Sequence, residues 1–464
     1  MKIYQKLCII LVLVFLTSFI LSACSATEEA SKINAREDII DEENLLSIVE
    51  ELSSEKYKGR LVGTEENKMA AEYVAAKFKE IGLENPEGLE NYMQYYSTQV
   101  LTIEDEPIMQ LEDAEGNIIK SFKYFENFLF RSLSSSPSID ITADLHKIDS
   151  LKDVSGSDST IKGKIGLFPI SVNSKSTVTE IIDSFKDKGL LAGIGEFDIK
   201  SPGRKYSSLL ATPMRGRWMT GNYNPYLVVD NDTFKEINDA ADKGLRLHIK
   251  CNFSQDMRKK VPNIIGIIRG SDPVLKNEYI IIGAHFDHVG DNKNGTYNPG
   301  ALDNASGTAG LIEIARIIKS GKIAPKKTII FAAFNGEEAG MTGSLHYAEN
   351  PVYPLDKSVM ICMDMIGCSA EIPITIASAE EGTNELQNEL CKYAEELKIK
   401  YTTDVLVGSD HSSFSQVGVE SVLLINQDWL NGYHSPDDTL EDVDKVNMEQ
   451  IVKLVLYYAD RNAY

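Results

Sequence analysis

Tyr279-Ile280-Ile281-Ile282-Gly283-Ala284-His285-Phe286-Asp287-His288 passes from an apolar run to a cluster of ionisable side chains within ten residues. An apolar run without polar alternation suits a strand buried on both faces, the habit of parallel sheets covered by helices. Four further runs of this kind surround it, at 263–268, 328–331, 359–362 and 422–425. Helix-period patterns lie between several of them, notably at 311–318 and 386–397, and a closing helix is expected over about 446–458. The expectation is an α/β fold: a mixed, mainly parallel sheet sandwiched by helices.

In open α/β sheets, ligands gather beyond the carboxyl ends of the strands, and polar clusters fall at the ends of these runs. In the first, alternation puts His285 and Asp287 on one face, where a carboxylate can hold the imidazole in the tautomer a metal-bound histidine needs. The second, Pro299-Gly300-Ala301-Leu302-Asp303-Asn304-Ala305-Ser306-Gly307, precedes a helix. N-capping is the plain reading of Asp303, but the surrounding small residues favour a turn that presents a ligand. The third, Asn335-Gly336-Glu337-Glu338, holds adjacent carboxylates of no use to a core. One can bind metal while its neighbour serves as a general base, the cation offsetting their repulsion. In the fourth, Asp364 ends an apolar run, where an unpaired charge is costly. The fifth, Gly432-Tyr433-His434-Ser435-Pro436-Asp437-Asp438-Thr439, is a loop ahead of the last helix.

Taken together, His285, Asp303, Glu338, Asp364 and His434 give two imidazoles and three carboxylates. Nitrogen and hard oxygen without sulfur fit zinc, with cobalt or manganese as substitutes. If Asp303 bridges, each of two metals receives three protein ligands with room for a shared water. Charge closes too, because two divalent ions balance three carboxylates and one hydroxide.

The ordered string His285-x-Asp287, Pro-Gly-Ala-x-Asp303-Asn-Ala-Ser-Gly, Glu337-Glu338, Asp364-Met-Ile-Gly and Tyr433-His434 resembles the secreted dizinc aminopeptidases. That family also includes glutamate carboxypeptidase and glutaminyl cyclase. The resemblance implies that His285 and Asp364 bind one zinc, Glu338 and His434 the other, and Asp303 bridges them. It implies Glu337 as general base and acid, Asp287 as the group orienting His285, and Tyr433 as a hydrogen-bond donor to the oxyanion. The stretch Ser409-Asp410-His411-Ser412-Ser413-Phe414 resembles a family loop near the site and receives no catalytic role. The implied activity is hydrolysis of the N-terminal peptide bond, with peptides bearing a free amino terminus as partners. The alternatives are carboxypeptidase action, with Arg215 and Arg217 meeting a terminal carboxylate, and a non-catalytic binding lipoprotein. Glutaminyl cyclase action works with one zinc and sits poorly with a full two-metal set.

The rest of the 464 residues surrounds this unit and suggests two or three domains. Lys2 and Lys6, an apolar run over 7–21 and then Leu21-Ser22-Ala23-Cys24 resemble a lipoprotein signal. A signal peptide is expected at 1–23, with Cys24 lipidated and anchoring the protein to the outer face of the bacterial cell membrane. A polar tether is expected over 24–44 and the first part of the peptidase domain over 45–106. There, Ala70, Val74, Phe78 and Ile81 keep helix spacing up to Gly82, behind the turn Gly59-Arg60-Leu61-Val62-Gly63-Thr64. An inserted, mostly β domain is expected over 107–245, where Ile161-Lys162-Gly163-Lys164-Ile165-Gly166-Leu167 resembles protease-associated domains. The second peptidase part is expected over 246–464. Cys251, Cys362, Cys368 and Cys391 lack C-x-x-C spacing, which leaves one disulfide open but suits no thiolate zinc site. The net charge of -22 sets nucleic acid aside as a partner.

Overall fold

In a computed structural model, the described residues are 40–124, 126–132, 138–150, 159–173, 181, 188–197, 224–369, 371–426 and 432–464. Cys24, the signal-like segment, Arg215 and Arg217 lie outside them. The fold starts with α1 (Glu42–Ser53), α2 (Glu65–Ile81) and strand β1 (Met93–Ile103). Asp41 caps α1 by accepting the Asn44 N–H, Glu42 and Glu43 complement the helix dipole, and Leu45, Ile48, Val49 and Leu52 are buried. Residues 42–44, expected to belong to the tether, instead form the capped first turn of this helix. Helix α2 begins at a Thr64 cap and closes on Gly82 at φ 82°.

The middle of the chain forms β2 (Ile108–Glu112), β3 (Ile118–Phe122), β4 (Phe128–Ser132), β5 (Ser138–Lys147), β6 (Ile165–Phe168), β7 (Ala192–Phe197), β8 (Tyr226–Asp230) and helix α3 (Asn231–Asp242). Their apolar side chains make a separate core that reaches from Leu101 to Phe253. Strand β9 (Arg246–Ile268) spans 23 residues and belongs to both bodies. One end pairs with β2 and β5 of the insert, while β1 runs antiparallel beside it from Ile103↔Phe253 to Met93↔Ile264.

The other end of β9 joins the larger sheet. That sheet comprises β10 (Tyr279–His285), β11 (Thr328–Phe334), β12 (Ser358–Asp364), β13 (Ile374–Ser378), β14 (Tyr401–Val405) and β15 (Glu420–Ile425). The strand order is β14-β13-β15-β12-β10-β11-β9. The pairs β10/β11, β10/β12, β12/β15 and β13/β14 are parallel, and β9/β11 and β13/β15 antiparallel. Helices α4 (Gly307–Ser320), α5 (Thr342–Glu349), α6 (Glu385–Leu397), α7 (His411–Ser415) and α8 (Lys445–Ala463) complete the layers. Ile280 and Ile282 of β10 enter the core on one face and Ile281 the core on the other, as expected of a strand covered on both sides. All four described cysteines are free thiols.

Candidate metal centre

Strands β10 and β11 run in register, with His285 opposite Phe334, and β12 ends at Asp364 beside them. The loops leaving this edge bring the ionisable clusters together. His285 Nε2 lies 3.3 Å from Asp364 Oδ1 and 3.4 Å from Asp303 Oδ1. His434 Nε2 lies 3.1 Å from Asp303 Oδ2 and 3.0 Å from Glu338 Oε1. Two donor groups result, His285–Asp303–Asp364 and His288–Asp303–Glu338–His434, and they share Asp303 through its opposite oxygens. Each of these side chains is buried. Donors about 2.0–2.1 Å from one tetrahedral zinc stand roughly 3.3 Å from each other, so these spacings would fit the edges of a coordination shell. Glu338 Oε2 is buried without a hydrogen-bond partner, which also fits a cation there.

Charge is distributed unevenly over the cluster. Burial raises Glu338, yet the His434 and His288 imidazoles outweigh it and hold the carboxyl well below its usual range. Burial holds Glu337 well above the usual range against the pull of His285. Burial depresses His434, but Glu338 and Asp303 overcome it and keep the imidazole up to about 10.

Neighbouring groups fix the ligand-bearing turns. The Asp287 carboxylate accepts the Glu337 N–H at 3.1 Å and the Glu338 N–H at 3.3 Å. It stands 3.7 Å from His285 Nδ1, farther than the Asp287 carbonyl oxygen at 3.3 Å. Strand alternation predicts a direct carboxylate–imidazole bond here. The carboxylate serves both: it stands within ion-pair reach of His285, whose imidazole it helps to raise, and it accepts the two amides. Asn335 exchanges bonds of 2.9 and 3.0 Å with Asn67, and its N–H donates to Asn263 Oδ1 at 3.1 Å. Gly336 sits at φ 74°, where a Cβ would come within 2.4 Å of Thr342 Oγ1. Asp438 accepts the Leu302 and Asp303 N–H groups at 2.7 and 3.0 Å, and burial pushes its carboxyl up to about 7. Gly300, at φ 62°, leaves room for the His288 ring, which a Cβ would approach to 2.5 Å. Ser409 donates to Asp364 Oδ2 at 2.8 Å, and His411 Nε2 meets the Leu406 carbonyl at 2.8 Å, within its own loop.

Asp303, Glu337 and Asp364 border a cleft of about 450 Å³ whose walls include Met365, Leu406, Val407, Leu423, Ile425 and Tyr433. The Tyr433 ring stacks on His434 with centroids 3.8 Å apart. The eight side chains given catalytic or metal-binding roles from the sequence therefore converge, and the ninth residue singled out, Cys24, lies outside the described residues. The sequence reading passed over His288, whose Nδ1 stands 3.1 Å from Glu338 Oε1. Asp438, Asp410, Ser409 and the buried Arg60 fall within stretches quoted from the sequence, which assigned them no role of their own.

A mixed α/β sheet with this imidazole–carboxylate set at its strand ends defines the zinc-exopeptidase-like class of fold. Residues 263–459 match the family model described as Peptidase family M28, and the likeness to that family is carried by this segment. It is 32% identical over 204 residues to the aminopeptidase YwaD of Bacillus subtilis, covering 42% of this chain and 43% of that protein. A glutamate carboxypeptidase 2 homolog of Caenorhabditis briggsae is 30% identical over 40% of this chain and 22% of its own length. The chain thus spans less than half the length of these curated relatives. Among solved structures, an aminopeptidase from Aneurinibacillus sp. strain AM-1 superposes with a TM-score of 0.68 at 21% identity, covering 91% of this chain and 94% of that one. BSAP, a zinc aminopeptidase from Bacillus subtilis, gives 0.67 at 22% identity, covering 91% and 95%. At these identities the likeness concerns the fold.

Proposed function

We propose that this chain is a zinc-dependent aminopeptidase that hydrolyses the N-terminal peptide bond of peptides. The observation that carries this reading is Asp303, whose two oxygens face separate donor groups on one cleft. The arrangement suits two zinc ions, one held by His285, Asp303 and Asp364 and the other by Asp303, Glu338 and His434, with cobalt or manganese as possible replacements. Bound there, zinc would supply Lewis acidity towards water and the scissile carbonyl. Glu337, fixed through its N–H by Asp287 and bordering the cleft, suits the exchange of a proton with water and then with the leaving amine. Tyr433, on the cleft wall, is the donor we assign to the tetrahedral oxyanion.

The described lining of the cleft is acidic and apolar and includes no cationic side chain. Met365, Leu406, Val407, Leu423 and Ile425 suit a terminal residue with an apolar side chain, as an aminopeptidase substrate would present. The names of relatives such as the Bacillus aminopeptidase point the same way. The test uses a leucyl chromogenic amide, a free peptide and its N-acetylated counterpart, with and without chelator. Release of the first residue from unblocked substrates only, lost on chelation and restored by zinc, is the expected result. Trimming of the acetylated peptide from its carboxyl end would overturn the assignment. Export and lipid anchoring through Cys24 are a further proposal, resting on the Leu21-Ser22-Ala23-Cys24 sequence.

A further inference from the structure

Arg60 is fully buried, and among the described residues it is the one Lys or Arg that is. A buried charge is costly unless it is compensated. Here all five N–H donors go to main-chain carbonyl oxygens. Nε donates to Phe286 at 2.7 Å, one terminal nitrogen to Leu52 at 3.1 Å and Pro299 at 2.6 Å, and the other to Gly300 at 2.7 Å and Asp303 at 3.3 Å.

Four of those carbonyls belong to the ligand-bearing turns, and the fifth, Leu52, belongs to α1. Phe286 lies between His285 and Asp287, and Pro299 to Asp303 lead up to and include the shared carboxylate. The Arg60 main chain adds to the clamp, because its carbonyl accepts the His288 N–H at 3.4 Å and Leu61 forms a parallel bridge with His288. Gly59 allows the close approach: a Cβ there would come within 2.5 Å of the Asn298 carbonyl oxygen. The nearby carboxylates of Asp438, Asp303, Asp287 and Glu338 favour the cation that burial disfavours.

We propose that Arg60 is a positioning residue of the metal centre. It ties the 285–288 segment to the 299–303 turn before metal arrives and keeps a fixed positive charge beneath the carboxylates. The inference rests on the zinc reading above, and the two fail differently: if that reading fails, the wild-type protein itself takes up no zinc.

Hydrogen exchange on wild-type protein, with and without chelator, reads the preassembly. Amides over 284–290 and 298–306 are expected to keep their protection in the metal-free form. If removing zinc strips that protection, the metal orders the turns and the proposal fails. Arg60→Lys, titrated with zinc against a chelating dye, is expected to bind zinc about 10-fold or more weakly, as for other groups that orient metal ligands. A mere core filler would lower the melting temperature and leave zinc affinity within twofold of wild type, which would overturn the assignment. Should the variant not fold, the exchange measurement on wild type decides alone.

Discussion

Glu337 and Glu338 are chemically identical neighbours, and their surroundings drive them apart. Both are buried, but only Glu338 faces His434 and His288. One carboxyl is thereby held towards its neutral form and the other kept anionic. Glu337→Gln is expected to retain zinc in metal analysis while kcat falls by roughly 10²–10⁴-fold, the usual worth of such a group. Full turnover would remove Glu337 from the mechanism. Asp410 gives a prediction with a definite sign. It is buried, and burial, opposed in part by His285 and Ser344, pushes its carboxyl up to about 7. The folded pKa lies above the unfolded value of about 3.9, so the folded metal-free chain holds the extra proton. Its contribution is fully present below about pH 4 and is lost as pH rises towards 7. Metal-free Asp410→Asn should therefore lose less stability than wild type between pH 4.5 and 7.5, read as urea midpoints; equal losses would count against this account. The five proposed ligands were legible because each sits in a motif that makes little sense as core or surface. His288 was not, because its alternation with His285 assumes a strand that has already ended. Arg60 was hidden for another reason: five carbonyl partners scattered over 250 positions of chain leave no local pattern.

Among the elements, the strands that could be read were those buried on both faces. The strand β14 has a largely exposed side-chain row with the polar run Thr402-Thr403-Asp404, and β13, its neighbour at the edge, is short; neither shows the long apolar run of the centre. The start of α1 depended on a distant partner. Glu313 of α4, itself buried, accepts the Asp41 N–H at 2.8 Å and Asn44 Nδ2 at 2.8 Å, and pairs with Arg316 at 2.6 and 2.8 Å. Removing such a carboxylate strands several donors at once. Glu313→Ala is expected to cost about 3–5 kcal/mol of stability, the range for breaking a buried pair. Urea unfolding of the metal-free chain would measure it, and a loss below about 1 kcal/mol, in the range of an exposed ion pair, would show that α1 docks by its apolar face alone.

At the scale of the whole molecule, the two bodies and their α/β and mostly β characters were visible in the change of texture after residue 107. Their joint was not, because a strand shared by two cores reads as two separate runs, here broken by the charged stretch around Arg258-Lys259-Lys260. Zinc should act on the molecule as a ligand that binds only the folded form. Chelation is expected to lower the melting temperature, and the shift should grow with the logarithm of free zinc when metal is returned. A melting curve indifferent to zinc would argue against a site that forms on folding. For the proposed anchor, Cys24→Ser should move the protein from the membrane fraction to the soluble fraction, read by fractionation and immunoblot. Unchanged partitioning would point to some other attachment.

The 23-residue strand β9 gives the joint a mechanical character. Backed by β1, it is a two-ply beam, and Asn263 on it is bolted directly to Asn335, the residue that leads into the glutamate pair. The ladder beneath the smaller body is broken at one point, where the register shifts between Thr98 and Val100. A load on its far end would have to pass that break before it reached Asn263 and the floor of the cleft.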